Sequence, residues 1–158
     1  MSIHFSKFAS LLVVLLMLAC ATSPTGRSRV LLMSDAQMQS MGVAAYSDIK
    51  SNTVSSKDAA ENRYVQCVAS AITSVLADSP DWEVTLFEDS SVNAFALPGG
   101  KIGVYTGLLG VAVNQDQLAA VIGHEVGHVL AQHGNERVSL QFATQTGQQL
   151  AAIALGGN

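Results

Sequence analysis

The stretch from Val121 to Leu130 constrains the fold of this chain most, because it places three polar side chains in an apolar, helix-like run. It contains the pattern H-E-x-x-H, formed by His124, Glu125 and His128. On an α-helix, residues four apart lie one turn apart on the same side, so the two imidazoles can bind one cation. The neighbouring positions are mostly Leu, Ala, Val or Ile, which predicts a buried helix. Buried polar groups need partners, so the pattern favours a metal site over an ordinary core helix with two histidines.

The residue types in this pattern are those of a zinc-dependent hydrolase. Zinc held by neutral histidines lowers the pKa of a coordinated water to about 7. Glu125 lies about 100° round the helix from His124, which suits a proton acceptor better than a ligand. We therefore predict one Zn²⁺ per chain, bound by His124 and His128, with Glu125 as the catalytic general base. Gly123 and Gly127 are each unfavourable by about 1 kcal/mol relative to Ala inside a helix, which predicts another backbone packed closely there.

The N-terminal residues predict export. Lys7 precedes an apolar run from residue 8 to residue 18, which is too short to span a bilayer comfortably. We predict a lipoprotein-type signal peptide over residues 1–19 and lipidation of Cys20, with an unmodified cysteine in a differently cut signal peptide as the alternative. Ala21, rather than Asp, follows the cysteine, which is typical of outer-membrane sorting. The expected location is the periplasmic side of the outer membrane, lipid-anchored, with a soluble periplasmic protein as the alternative.

Charge argues against nucleic acid as a partner. Without Lys7 the chain keeps 7 basic and 12 acidic residues, a net charge of about −5, and its arginines are scattered. We expect protein or peptide substrates, and contact with the membrane only through the lipid anchor. Cys67 has no second cysteine in the mature domain for a disulfide. Its position on an apolar helical stripe predicts a small buried thiol.

Hydrophobic periodicity divides the chain into a small polar tether at residues 20–30, which includes Cys20, and one domain at residues 31–158. A helix is predicted from Asp35, with Met38, Met41, Ala45 and Ile49 on its apolar side. The other predicted helices run from 57 to 77, from about 115 with Asn114 as its cap to a stop at Gly134, and from about 135 towards 155. Alternating stretches at 82–87, 92–97 and 101–105 predict a small antiparallel sheet with a tight turn at 98–100. The expected fold class is α+β.

Two segments carry a family resemblance: residues 91–109, which contain N-A-F-A-L-P-G-G, and residues 116–128, which contain the H-E-x-x-H pattern. Together they resemble the HtpX and CAAX prenyl protease family of zinc metallopeptidases, and within it the exported, lipid-anchored bacterial members. The resemblance implies a zincin-like (gluzincin) fold, in which the motif helix packs under a small sheet whose edge strand binds substrate as an added strand. By this resemblance the substrate-binding residues are Asn93, Ala94, Phe95, Gly99 and Gly100.

The resemblance also implies a third metal ligand. Family members take it from a glutamate well downstream of the motif, whereas after His128 this sequence has only Glu136 and His133 as candidates. We expect a C-terminally truncated chain, with Glu136 as a helix-start glutamate rather than a substitute ligand. The expected function is a zinc-dependent endopeptidase of the bacterial cell envelope that cleaves unfolded or misassembled proteins. The alternatives are a non-catalytic envelope lipoprotein that keeps the fold for protein binding or chaperoning, and a fragment without function.

Overall fold

The computed structural model describes residues 20–22, 26, 28–76 and 81–154, so the predicted signal peptide at 1–19 lies outside the described residues. The helices are α1 (Asp35–Asn52), α2 (Ala59–Thr73), α3 (Thr106–Leu109), α4 (Gln115–Leu130) and α5 (His133–Ala154). The strands are β1 (Cys20–Thr22), β2 (Ser28–Val30), β3 (Glu83–Phe87), β4 (Ala94–Leu97) and β5 (Lys101–Tyr105). This content confirms the α+β class. The chain divides into two compact units, one of residues 35–130 and one that combines residues 1–34 with 131–158.

The larger unit contains a three-stranded sheet with the order β3-β5-β4. Strand β5 is antiparallel to β4 and parallel to β3. The prediction of an antiparallel sheet is therefore wrong for one of its two strand pairs. After the tight turn, β5 returns between β3 and β4 instead of outside them. Because β3 and β4 run in opposite directions and β5 is antiparallel to β4, β5 runs parallel to β3. Side-chain alternation reports the faces of a strand but not its neighbours, so the sequence pattern does not reveal this order.

One face of the sheet packs on α2 and α4 to form the main core. The strands contribute alternate residues to this face: Val84, Leu86, Ala94, Ala96, Ile102 and Val104. The helices contribute residues at helical spacing: Val65, Val68, Ala69, Leu118, Ile122 and Val126. Burying a Val, Leu or Ile side chain contributes about 1.5–3 kcal/mol relative to leaving it exposed. This shared core fixes α4, and with it the H-E-x-x-H pattern, against the sheet.

The opposite face of the sheet packs on α1. The buried residues of α1 are Met38, Gly42 and Tyr46, spaced one turn apart, and the Tyr46 hydroxyl donates to Thr85 Oγ1 at 2.6 Å. Met41 was predicted on the apolar side, but it is 47% exposed. Helix α1 therefore buries the stripe that contains Gly42 and Tyr46, because the large ring of Tyr46 fills the space above the sheet.

Cys67 on α2 is exposed, so the prediction of a buried thiol is wrong. The core-facing residues of this helix are Val65, Val68 and Ala69. Cys67 lies about 200° round the helix from Val65 and about 100° from Val68. This angular position directs its side chain away from the core, although its neighbours in sequence are apolar.

Local structure explains both ends of α4: side-chain capping at its start and a left-handed residue after its end. The Asn114 side-chain oxygen accepts from the Gln117 N–H at 3.0 Å, and the Gln117 side chain accepts from the Val113 N–H at 2.9 Å. This confirms the predicted cap at Asn114. The helix ends at Leu130, four residues before the predicted stop at Gly134. Gln132, with φ of 54°, has a left-handed backbone conformation that an α-helix does not continue through.

The smaller unit is held together by polar contacts between residues 28–34 and α5. The Leu32 N–H donates to Ser139 Oγ at 2.8 Å, and Asn135 Nδ2 donates to the Met33 carbonyl at 2.7 Å. Strands β1 and β2, within the predicted tether, pair antiparallel. In the described part of the chain, no helix is long and apolar enough to cross a membrane.

Candidate metal centre

The two motif histidines meet on the exposed side of α4. The Nε2 atoms of His124 and His128 are 2.9 Å apart, and the ring centroids are 4.4 Å apart with planes at 79°. Both side chains are exposed. One turn of α-helix separates the two residues, as the spacing in the sequence predicts. The structure thus brings two metal-binding nitrogens to one point.

The distance between the two nitrogens fits a shared zinc ion. With Zn–N bonds of about 2.0–2.1 Å and tetrahedral angles, the two nitrogens would be about 3.3 Å apart. The observed 2.9 Å is shorter by about 0.4 Å, a difference that small rotations of the two side chains would remove. Both Nε2 lone pairs are available when both rings are neutral and carry their proton on Nδ1. The donor set is therefore compatible with zinc.

Glu125 is half-buried and directly follows His124 on α4. Among the described residues there is no group of three or more His, Cys, Asp or Glu side chains placed to hold a metal ion. A catalytic zinc site has three protein ligands. The described residues bring two of them together, His124 and His128.

Glu136 lies in the first turn of α5, where its N–H donates to the Gln132 carbonyl at 3.1 Å and where the helix dipole favours a carboxylate.

The environment of α4 differs from the sequence prediction in two respects. Only Leu118, Ile122 and Val126 are buried, so the helix is covered along one stripe and not most of the way round. The second difference concerns Gly123 and Gly127. A Cβ built at either position would meet no described atom within 4 Å, so the prediction of a closely packed backbone there is wrong. The helix backbone at these two glycines therefore has no close described neighbour, next to the exposed imidazoles.

Strand β4 presents an open edge to a possible substrate. The Asn93 carbonyl accepts from the Tyr105 N–H at 3.1 Å, and hydrogen-bonded pairs alternate along an antiparallel ladder. The main chain of Phe95 therefore points towards β5, whereas the N–H and C=O groups of Ala94 and Ala96 point away from it. No described strand pairs with that edge. Ala94 is among the substrate-binding residues that the resemblance implies, but Ala96 is not. The two-residue alternation along β4 would have identified Ala96 as well.

The other predicted substrate residues shape the hairpin. The Phe95 ring lies 6.1, 6.2 and 6.4 Å from the rings of Tyr105, Phe87 and Tyr46, on the α1 face of the sheet. Gly99 and Gly100 form the tight turn with φ of 86° and 69°, values that side-chain-bearing residues rarely adopt. Asn93 contributes its carbonyl to the ladder. Of the five predicted substrate-binding residues, Ala94 is the one whose main-chain N–H and C=O groups lie at the open edge.

An ion-paired group lies near the same turn. The Glu83 carboxylate accepts from Lys50 Nζ at 2.7 Å and from Lys101 Nζ at 2.9 Å. The hydrogen bond from Lys50, followed by that from Lys101, lowers the pKa of Glu83 below its ordinary value. The group joins α1 to β3 and β5. No local sequence pattern predicts this group, because Lys50 and Glu83 are 33 positions apart.

Comparisons with known proteins identify the family of this chain. The chain matches "Peptidase family M48" over residues 59–158. It is 30% identical over 127 residues to the metalloprotease LoiP of Escherichia coli, covering 79% of this chain and 49% of LoiP. It is 31% identical over 147 residues to the mitochondrial metalloendopeptidase OMA1 of Bos taurus, covering 85% of this chain and 28% of OMA1. The metalloprotease YcaL of Escherichia coli is 28% identical over 112 residues, covering 70% of this chain and 43% of YcaL. The chain thus spans about a quarter to a half of the length of these relatives, and it belongs to peptidase family M48.

Proposed function

We propose that this protein is a zinc-dependent endopeptidase of the bacterial cell envelope that cleaves unfolded or misassembled protein chains. The observation that carries the proposal is the 2.9 Å approach of the His124 and His128 Nε2 atoms on the exposed side of α4, with Glu125 beside them. Membership of peptidase family M48 and the metalloprotease names of its relatives support the activity. The N-A-F-A-L-P-G-G segment supports the narrower placement near the exported HtpX-like members.

The chain's own residues divide the chemistry between them. A bound zinc ion would supply a Lewis acid for a peptide carbonyl and for water. His124 and His128 would hold it through Nε2, which requires both rings to be neutral. Glu125 would take the proton from the attacking water and then give it to the departing amine, the two tasks of a general acid–base group.

The open edge of β4 would bind the substrate. Ala94 and Ala96 offer two N–H and two C=O groups, so an extended peptide can add as a further strand through up to four main-chain hydrogen bonds. Main-chain hydrogen bonds do not depend on the side chains of the substrate. Such a surface suits exposed, extended segments, which unfolded proteins have and folded proteins lack.

Glu125→Gln tests the catalytic assignment. The full chain, loaded with zinc, is assayed with fluorescently labelled reduced casein, and the variant should lose activity by about 10²–10⁴-fold because its amide cannot accept the proton. Zinc content and circular dichroism should not change. Glu61→Gln, in the first turn of α2, is the matched control and should cleave normally. Equal cleavage by Glu125→Gln and wild type would refute the catalytic role and favour the binding-protein alternative.

We also propose that Cys20 carries a lipid that holds the protein at the periplasmic side of the outer membrane. The support is the sequence pattern of Lys7, the apolar run and the cysteine. Cells that express the protein would be labelled with radioactive palmitate. Cys20→Ser should abolish the label, whereas Cys67→Ser, which changes the other cysteine, should retain it. Label that persists in Cys20→Ser would rule out this attachment site.

A further inference from the structure

Helix α1 contacts the turn after β4 at a position where the helix has no side chain. Gly42 lies on the buried face of α1, between Met38 and Tyr46. A Cβ at this position would lie 2.1 Å from the carbonyl oxygen of Pro98, the residue that follows β4, and 3.1 Å from its nitrogen. The backbones of the helix and the turn are therefore too close for any residue other than glycine, unless one of them moves.

The turn approaches the helix through a glycine as well. A Cβ at Gly99 would lie 3.0 Å from Val43 Cγ2 and 3.2 Å from the Gln39 carbonyl oxygen. The same helix also meets β4 itself, since the rings of Tyr46 and Phe95 are 6.4 Å apart. Helix α1 thus contacts both β4 and the turn that ends it.

We propose that Gly42 is a positioning residue for β4, which sets where the open edge of the strand lies. The proposal rests on the proposed function, in which this edge binds the substrate. Because α4 packs on the opposite face of β4, a displacement of the strand by α1 would move a bound peptide relative to Glu125. Gly42 touches neither substrate nor metal, and it acts only through the position of β4.

The contact distances give the expected size of the effect. To bring a Cβ at position 42 out to 3.0 Å from the Pro98 oxygen, the helix and the turn must separate by about 0.9 Å. A misplacement of about 1 Å can lower the rate of an enzyme by about 10²-fold. Gly42→Ala should therefore lower kcat/KM for extended peptides by about 10- to 100-fold, with a lower kcat because the bound peptide is displaced from Glu125 and a higher KM because the edge that binds it is displaced.

The test compares Gly42→Ala with Gly147→Ala in the full, zinc-loaded chain. Gly147 is also helical, but a Cβ there meets no described atom within 4 Å, so this control carries the same chemical change without the contact. Hydrogen–deuterium exchange is followed in peptides that cover residues 93–105, with α2 and α4 as internal references. In Gly42→Ala the hairpin should exchange at least about 10-fold faster while α2, α4 and the zinc content stay unchanged. Gly147→Ala should match wild type in the hairpin and in KM.

Three outcomes would overturn the positioning role: unchanged exchange in the hairpin, equally faster exchange in α2 and α4, or an unchanged KM. Val43→Ala is a milder variant, since Val43 is 46% exposed and the substitution removes the Cγ2 methyl group that lies beside Gly99. Val43→Ala should produce a smaller increase in exchange, confined to the turn. If Gly42→Ala does not fold, an unchanged exchange rate in Val43→Ala would count against the proposal. A zinc-loaded wild type that cleaves nothing refutes the proposed function, whereas unchanged exchange refutes the role of Gly42 alone. The two failures are therefore separate.

Discussion

Gly103→Ala should destabilise the larger unit by a predictable amount. Gly103 lies in the central strand β5, beneath the Phe95 ring, and a Cβ there would come within 2.2, 2.4 and 2.8 Å of the Cζ, Cε1 and Cε2 atoms of that ring. The ring would have to move by about 1.2 Å to regain ordinary van der Waals contact. Three neighbouring aromatic rings surround it, so the movement either overpacks the cluster or breaks aromatic contacts. Overpacking costs about 1–3 kcal/mol and each lost aromatic pair about 0.5–1.5 kcal/mol.

We expect a decrease of about 2–4 kcal/mol in the free energy of unfolding. The measurement is urea denaturation of the full chain, followed by circular dichroism and by the fluorescence of Trp82, the single tryptophan. Phe95→Leu provides the decisive second variant, because it removes the three ring atoms that a Cβ at position 103 would meet. In that background the cost of Gly103→Ala should fall below about 1 kcal/mol, which gives a coupling energy of about 1–3 kcal/mol. Additive effects, within about 0.5 kcal/mol, would refute the contact between the ring and the glycine.

Three further changes test other parts of the molecule. Ile122→Ala, at a fully buried position of α4, should lower the unfolding free energy by about 2–5 kcal/mol in urea, and a loss below about 1 kcal/mol would contradict its place in the core. Asp58→Ala removes the side chain that accepts from the first free N–H groups of α2 and should cost about 0.5–2 kcal/mol, whereas Asp58→Asn should retain most of that stability. Lys50 and Lys101 lower the pKa of Glu83, so this carboxylate stabilises the folded state above its unfolded pKa near 4.5 and loses that contribution as pH falls through the folded pKa. Glu83→Gln should therefore flatten the dependence of stability on pH below about 4.5 and cost no more than about 1 kcal/mol at pH 7, and an unchanged acid slope would count against the pairing.

Much of the secondary structure follows from local signals in the sequence. The start of α1 at Asp35, the cap at Asn114 and the bounds of β5 are all as predicted, because capping and alternation involve residues within a few positions of each other. The parallel pairing of β3 with β5, in contrast, does not follow from local signals in the sequence. It depends on which side of β4 the returning strand occupies, and side-chain alternation within a strand carries no information about its neighbours.

The motif histidines were placed correctly beside each other because helical geometry alone determines their spacing. Their surroundings were not foreseen in the same way. Counting apolar residues predicted a buried α4, but only Leu118, Ile122 and Val126 are buried in this helix, with Ala119 and Val121 partly buried beside them. The contact between Gly42 and Pro98 joins positions 56 apart in sequence, so no window of local periodicity contains it.

The open edge of β4 has a further consequence for solubility. Its residues, Ala-Phe-Ala-Leu, are apolar and uncharged, and an unpaired edge of this kind accepts a strand from any chain, including another copy of this protein. Natural proteins limit such self-association by keeping exposed edges short and by placing proline beside them. Strand β4 is four residues long and Pro98 follows it immediately, so the ladder that two copies could form ends after two outward-facing residues. The brevity that confines a substrate to a few hydrogen bonds is thus also what opposes edge-to-edge aggregation.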